Sequence, residues 1–343
     1  MIEIDGIIYS LQRQGGISVY FDELISALDR TDIDYQLALH EGHHCDSSGS
    51  NVIVRKPRFL ERYRAVRTSS DVGIFHSSYY RRPRCSSGLK QVVTLHDFVY
   101  ERHTEGLKRF VHSKQKFAAL RSADAIICVS QATADDLDYF VGKVSAEIHV
   151  VPNGVSEDFQ LVSGESLPNG METPYILYVG QRSGYKNFSR LARALKYLDG
   201  FHLICVGGEP FHESELRQLQ SEGARKVLHM QDVSNRELNI LYNHAYCLTY
   251  PSLYEGFGIP VVEAMKAGCP VVCGPCKAVI EVGGDALTIA WGDDSKDLAD
   301  AVRLVGGDDR EEIVKRGLAR SKQYSWAKTH EATAEIYMNL LGK

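Results

Sequence analysis

The sequence predicts an α/β protein built from two doubly wound parallel sheets, and three observations carry that prediction. Its 343 residues, 44% hydrophobic, suffice for two cores of ordinary domain size. Short apolar runs rich in Val and Ile alternate with helix-like stretches, the pattern of parallel strands joined by crossover helices. A polar stretch at 155–173, holding Gly, Ser and Pro without clear periodicity, separates two such series and reads as a linker.

Taken in order, "IIYS" reads as a strand, followed by a loop, Gly15-Gly16 and the helix "ISVYFDELISAL". The runs "VGIFH" (72–76), "QVVTLHD" (91–97), "AIICVS" (125–130) and "IHVVPNG" (148–154) complete the first series. The second comprises "YILYVG" (175–180), "FHLICVGG" (201–208), "VLHM" (227–230), "AYCLTYPS" (245–252) and "CPVVCG" (269–274). Residues 1–160 are therefore assigned to a first Rossmann-like domain and 173–322 to a second. The remaining 323–343 form a final helix anchored by Trp326.

Charge and composition narrow the function classes. No apolar run reaches the ~18 residues of a membrane span, and "MIEIDGIIYS" carries acids where a signal peptide carries positive charge, so a cytoplasmic protein is expected. Eight cysteines in a chain of this size are expected to be reduced thiols. The net charge is −5, yet residues 51–122 hold sixteen Lys or Arg against five Asp or Glu. Within them "GLKRFVHSKQKFAALRSAD" places Leu107, Phe110, Val111, Phe117 and Leu120 near helical spacing, with Lys108, Arg109, Lys114, Lys116 and Arg121 around the helix. That surface reads either as a solvated face or as one that docks anionic headgroups or phosphates at the inner membrane face; no nucleic-acid partner is expected.

Ligands of open α/β sheets bind beyond the carboxyl ends of strands, where helix N-termini attract phosphate. Gly15 and Gly16 would let a diphosphate approach the backbone, although a glycine pair before a helix is also plain turn chemistry. Neither the dinucleotide fingerprint nor the P-loop pattern is present. In "YVGQRSGYKNFSRLARAL", Arg182, Lys186 and a helix start near Asn187 or Phe188 are expected to converge on one anion. In "YPSLYEGFGIPVVEAMKAG", Glu255 falls in a loop and Glu263 about one turn into a helix opened by Pro260 and closed by Gly268. Two carboxylates could form a glycosidase pair, and a metal would need further ligands that are not nearby. Acceptance of hydrogen bonds from vicinal hydroxyls of a ligand is the preferred reading. The "CGPC" of 273–276 and the "HHCD" of 43–46 have redox-like and metal-like composition, but both read as ordinary strand ends and loops.

"YEGFGIPVVEAMKAGCPVV" resembles the E-x7-E region of retaining GT-B glycosyltransferases of family GT4. "GGISVYFDELISAL", "TLHDFVY", "CVSQATADDL", "VVPNGVSEDF", "YVGQRSGYKNF" and "IEVGGDAL" agree in order, so the resemblance spans nearly the whole chain. It implies two domains facing a central cleft, with the final helix crossing back to the first. The implied donor is a UDP- or GDP-sugar and the implied acceptor a saccharide or lipid-linked saccharide, with no metal or other cofactor.

The resemblance also implies roles. Glu263 would hold ribose hydroxyls and Glu255 sugar hydroxyls, while the amides of Gly256, Phe257 and Gly258 would lie near sugar and diphosphate. Arg182 and Lys186 would neutralise the leaving diphosphate. Gly16 would admit the diphosphate from the first domain, His96 would stand by the sugar with Asp97 a weaker candidate, and Val233 would fall near the base. One departure concerns Gln181, which takes the family's arginine position, with Arg182 one residue later. A nucleotide-sugar epimerase and a non-catalytic nucleotide-sugar-binding partner are the alternatives.

Overall fold

The computed structural model describes residues 1–342 apart from 14, 46–48, 70, 85–87, 168–170, 172–173, 183 and 224–225. They divide into two units, residues 1–154 with the C-terminal segment from Trp326, and Val155–Ser325.

In the first unit the strands are β1 (Ile2–Asp5), β2 (Tyr35–His40), β3 (Val52–Arg55), β4 (Ile74–Ser77), β5 (Lys90–Leu95), β6 (Ala125–Cys128) and β7 (Glu147–Val150). They pair in parallel in the order β3-β2-β1-β4-β5-β6-β7. Helices α1 (Gly16–Leu28), α2 (Val99–His103), α3 (Gly106–Ser122) and α4 (Gln131–Val141) connect them. The first strand is Ile2–Asp5; "IIYS" instead lies in a 3-10 turn, Gly6–Ser10. Ile2 and Ile4 are fully buried in the middle of the sheet, and the turn begins where a Cβ on Gly6 would meet the Ala38 carbonyl of β2 at 2.9 Å. Helix α3 also departs from expectation. Its buried face holds His112, Lys116, Ala119 and Leu120, whereas Leu107 and Phe110 are 76% and 63% exposed. Lys116 is held inside because its ammonium donates to Glu101 Oε2 at 2.8 Å and to the Asp97 carbonyl at 3.0 Å.

In the second unit β8 (Tyr175–Val179), β9 (His202–Val206), β10 (Val227–Met230), β11 (Cys247–Tyr250), β12 (Val271–Cys273) and β13 (Leu287–Ile289) pair in parallel in the order β10-β9-β8-β11-β12-β13. The helices are α5 (Phe188–Ala194), α6 (Glu213–Ser221), α7 (Asn235–His244), α8 (Ile259–Lys266), α9 (Lys277–Gly283), α10 (Ser295–Leu304) and α11 (Arg310–Ser321). Helix α7 starts where Ser234 and Glu237 form a reciprocal capping box. The strand order reverses between β8 and β11, as it does between β1 and β4, and the loops leaving those strands are where such sheets place ligands.

Unit boundaries differ from the sequence assignment at 155–160. Those residues join the second unit because Gln160 N–H donates to Asn239, Lys266 donates to the Ser156 carbonyl, and Phe159 packs edge-on against Tyr242. The last helix, α12 (Trp326–Leu341), belongs to the first unit. Trp326, Ile336 and Tyr337 enter that unit's core, Tyr337 OH bonds His76 Nδ1 at 2.5 Å, and Thr329 donates to the Pro152 carbonyl.

Candidate functional site

In the second unit the loop after β8 and the loop after β11 bring Lys186 and Glu255 together. Lys186 Nζ lies 2.7 Å from Glu255 Oε1 and donates to Tyr250 OH at 3.3 Å. Both side chains are largely buried. The Glu255 loop is shaped by its next three residues. Phe257 is buried and meets Tyr324 edge-on at 5.5 Å, and Gly258 caps α8 at φ 99, a left-handed conformation that other residues resist. Gly256, Phe257 and Gly258 thus run from Glu255 into the start of α8, whose first turn carries Pro260.

One turn into α8, Glu263 accepts a hydrogen bond from Tyr242 OH at 2.9 Å. Desolvation raises its carboxyl to about 7, and the Tyr242 hydrogen bond only partly offsets that rise. Glu263 is therefore poised between acid and carboxylate near neutral pH. A ligand hydroxyl donating to it would favour the carboxylate.

Arg182 does not join Lys186 in the way expected. Its guanidinium stacks over the Phe211 ring at 3.8 Å and donates to the Glu209 carbonyl, with His229 Nε2 at 3.5 Å and Glu215 Oε1 at 3.7 Å. The one-residue displacement of this arginine in sequence corresponds to a side chain engaged beside β9 and β10. The helix start was also expected to contribute, but α5 opens at Phe188 after a left-handed Asn187 and runs only seven residues. Val233 lies partly buried in the loop between β10 and α7.

In the first unit Gly15 caps α1, Gly16 opens it, and Ser18 Oγ donates back to the Gly15 carbonyl at 2.9 Å. His96 follows β5 and meets Tyr20 of α1 edge-on at 5.3 Å, so His96 and the glycine-opened helix are neighbours. Burial lowers His96 to about 4, with Lys116 adding to the effect, so the ring is neutral at physiological pH. Its buried Nε2 has no hydrogen-bond partner among the described residues. Asp97 serves the turn instead, accepting the Val99 N–H at 2.9 Å.

Sequence reading missed the tyrosines around these residues. Tyr250, Tyr242 and Tyr178 are buried strand or helix residues that pass for core, and only tertiary packing brings the first two to Lys186 and Glu263. Arg190 is likewise a buried latch, donating to carbonyls of Gly292 and Asp294. Of the two decoys, Cys273 and Cys276 are buried free thiols pushed up to about 12 and about 11, which keeps them protonated and unreactive. At "HHCD" the Cys45 N–H donates to His43 Nδ1, and Asp46 lies outside the described residues. No cluster of three or more His, Cys, Asp or Glu suited to a metal occurs among the described residues.

Two Rossmann-like units, each with candidate ligand-binding side chains at the carboxyl edge of its sheet, define the class of GT-B glycosyltransferases. The Glycosyltransferase Family 4 pattern matches residues 14–159, and that of Glycosyl transferases group 1 matches 163–318. The chain is 29% identical over 326 residues to the O-antigen chain mannosyltransferase B of Escherichia coli, covering 85% of this chain and 84% of that protein. It shares its fold with the sucrose-phosphate synthase of Thermosynechococcus elongatus, at a TM-score of 0.79 and 17% identity over 99% of both chains. Anabaena HepE, solved in complex with UDP-glucose, superposes with a TM-score of 0.73 at 16% identity over 98% of this chain and 99% of that one. The chain belongs to glycosyltransferase family 4, with the GT-B fold.

Proposed function

We propose that the protein is a retaining hexosyltransferase that moves a mannose-like or glucose-like unit from a nucleoside-diphosphate sugar to a saccharide or lipid-linked saccharide in cell-surface polysaccharide synthesis, without a metal. The observation that carries this reading is the Lys186–Glu255 pair, 2.7 Å apart at the switch point between β8 and β11. Its two members suit the two halves of a glycosyl donor. The ammonium matches the diphosphate, where negative charge grows as the anomeric bond breaks, and the carboxylate matches sugar hydroxyls. Arg182 would supply further charge after releasing its Glu209 contact.

In the front-face course proposed here, the departing phosphate oxygen takes the acceptor's proton, so neither glutamate acts as nucleophile and the anomeric configuration is kept. Glu263 would hold the ribose, and Val233 would lie near the base. Gly15, Gly16 and His96 are the first unit's own candidates for donor contacts. The E. coli mannosyltransferase relationship favours mannose and hence GDP as the nucleotide. Association with the inner membrane face is also part of the proposal, supported by exposed Leu107 and Phe110 among the lysines and arginines of α3.

The test is calorimetric binding of UDP, GDP, ADP and their sugars, with and without EDTA, followed by product analysis with and without acceptor. A single preferred nucleotide, bound regardless of EDTA, and acceptor-dependent transfer with retained configuration are expected. An acceptor-independent change of the sugar would mean an epimerase, and absence of nucleotide binding would overturn the donor site. Lys186→Ala is expected to lower turnover by about a hundredfold, in line with loss of one charge-stabilising group. Equal turnover of variant and wild type would remove Lys186 from the mechanism.

A further inference from the structure

A cationic cavity of about 260 Å³ lies within the first unit, and neither the Gly15–Gly16 loop nor His96 lines it. Its residues come to one place because the strands are parallel. His40 ends β2, Arg55 ends β3, Asp5 ends β1, and Arg81 follows β4 with its N–H on Ser77 Oγ. The cavity therefore lies at the carboxyl edge of the sheet, where open α/β sheets take ligands.

The floor is an ionic network in which Asp5 Oδ2 is left without a hydrogen-bond partner among the described residues. Arg81, only 2% exposed, pairs with Asp5 Oδ1 at 2.9 Å and with Glu61; Arg55 grips Glu3 with both terminal nitrogens; Arg58 binds Glu61 at 2.7 and 2.8 Å. Each arginine there has a carboxylate. Two more cations, Lys56 and Arg67, also line the cavity and have no ion-pair partner among the described residues, so the site carries surplus positive charge.

A second observation is independent of that surplus. His40 lines the cavity, is 3% exposed, and its Nδ1 has no hydrogen-bond partner among the described residues. Its Nε2 lies 3.5 Å from Glu61 Oε1, and burial, with the nearby Arg81 charge, lowers its pKa against the opposing pull of Glu61. In the neutral tautomer that carries its proton on Nε2, toward Glu61, Nδ1 is an acceptor without a donor among the described residues. A purely structural network would be expected to satisfy such a buried atom.

We propose that this cavity binds a phosphate-bearing ligand, with Lys56 and Arg67 on the anionic oxygens and His40 Nδ1 accepting a hydroxyl or acid proton of the same ligand. Glycosyl phosphates carry both groups. The ligand is either the phosphorylated end of the saccharide acceptor, which rests on the proposed transferase reading, or a free phosphate that acts as effector.

The test titrates wild type and Lys56→Ala/Arg67→Ala with inorganic phosphate, glucose 1-phosphate and sulfate by calorimetry, each with saturating UDP or GDP present to occupy the donor site. Both substituted side chains are exposed, so the fold is expected to persist, and thermal unfolding checks it. Wild type is expected to bind the two phosphates despite the nucleotide and to bind sulfate, which has no proton to give, more weakly. The double variant is expected to lose about tenfold or more in phosphate affinity, with nucleotide affinity unchanged. Full competition by nucleotide, or equal phosphate affinity in the variant, would overturn the site. If the acceptor is the source, the variant's KM for a diphosphate-linked acceptor rises at constant kcat; if a free effector is the source, added phosphate alters turnover of a neutral acceptor in wild type alone. Failure of nucleotide binding would instead count against the transferase reading and leave the phosphate comparison between the two proteins readable.

Discussion

Glu263 shows how one buried carboxyl connects stability to ligand binding. Its value of about 7 stands above the ordinary 4.5, so between those pH values the folded protein holds a proton that the unfolded chain has released. Stability contributed by this group is thus lost as pH rises through that window, at about 1.4 kcal/mol per unit. Glu263→Gln keeps an acceptor for Tyr242 and removes the ionisation. Urea unfolding at pH 5 and pH 8 is expected to show the variant gaining on the order of 2 kcal/mol relative to wild type at the higher pH. The same difference at both values would mean that the carboxyl ionises normally. Nucleoside affinity is expected to move the opposite way, tightening in wild type by about fivefold from pH 6 to 7 as the carboxylate forms, and to be flat in the variant.

Helix α12 completes a core that the first unit does not fill alone. Tyr337 is fully buried, His76 between β4 neighbours offers Nδ1 to its hydroxyl, and Thr94 sits 2.9 Å from the other ring nitrogen. Desolvation lowers His76 to about 3, so this chain of bonds is neutral and persists across the physiological range. Tyr337→Phe leaves the ring and removes one partner of a buried nitrogen. A loss of about 1–2 kcal/mol is expected by chemical denaturation, and no loss would show that water replaces the hydroxyl. The same helix was legible in "YSWAKTHEATAEIYMNLL" as a helix with Trp326 as anchor, because its apolar spacing is local information. What it covers was not, since His76 stands 261 residues from Tyr337.

The whole chain carries its charge unevenly, and residues 51–122 are strongly basic within an acidic protein. Some of that charge is consumed internally by Arg55, Arg58, Arg81 and Lys116. The remainder on α3 flanks the exposed Leu107 and Phe110. Sedimentation with phosphatidylglycerol vesicles is expected at low salt and is expected to weaken steeply toward 0.5 M salt, as an electrostatic contact with a Debye length of about 10 Å at 0.1 M requires. Leu107→Glu/Phe110→Glu is expected to abolish it. Sedimentation that ignored both salt and the substitutions would place the membrane contact elsewhere. No helix among the described residues is long and apolar enough to span a bilayer.

The amino-acid sequence by itself determined the class of fold and the family, because strand runs such as "YILYVG" and the turn chemistry of "YEGFGIP" are written in consecutive residues. It also singled out Lys186, Glu255 and Glu263 as candidates. Strands β2, β3 and β13 were not picked out, β3 and β13 because they carry little apolar pattern, and the β1 strand was displaced onto the turn that follows it. Tertiary structure alone decided that Lys186 meets Glu255 across 69 residues, that Arg182 turns toward Phe211, and that five cations and His40 gather around one cavity. Parallel β pairing is the reason: it lines up the ends of strands far apart in the chain, so the side chains that share an edge are set by register and burial rather than by any spacing along the sequence.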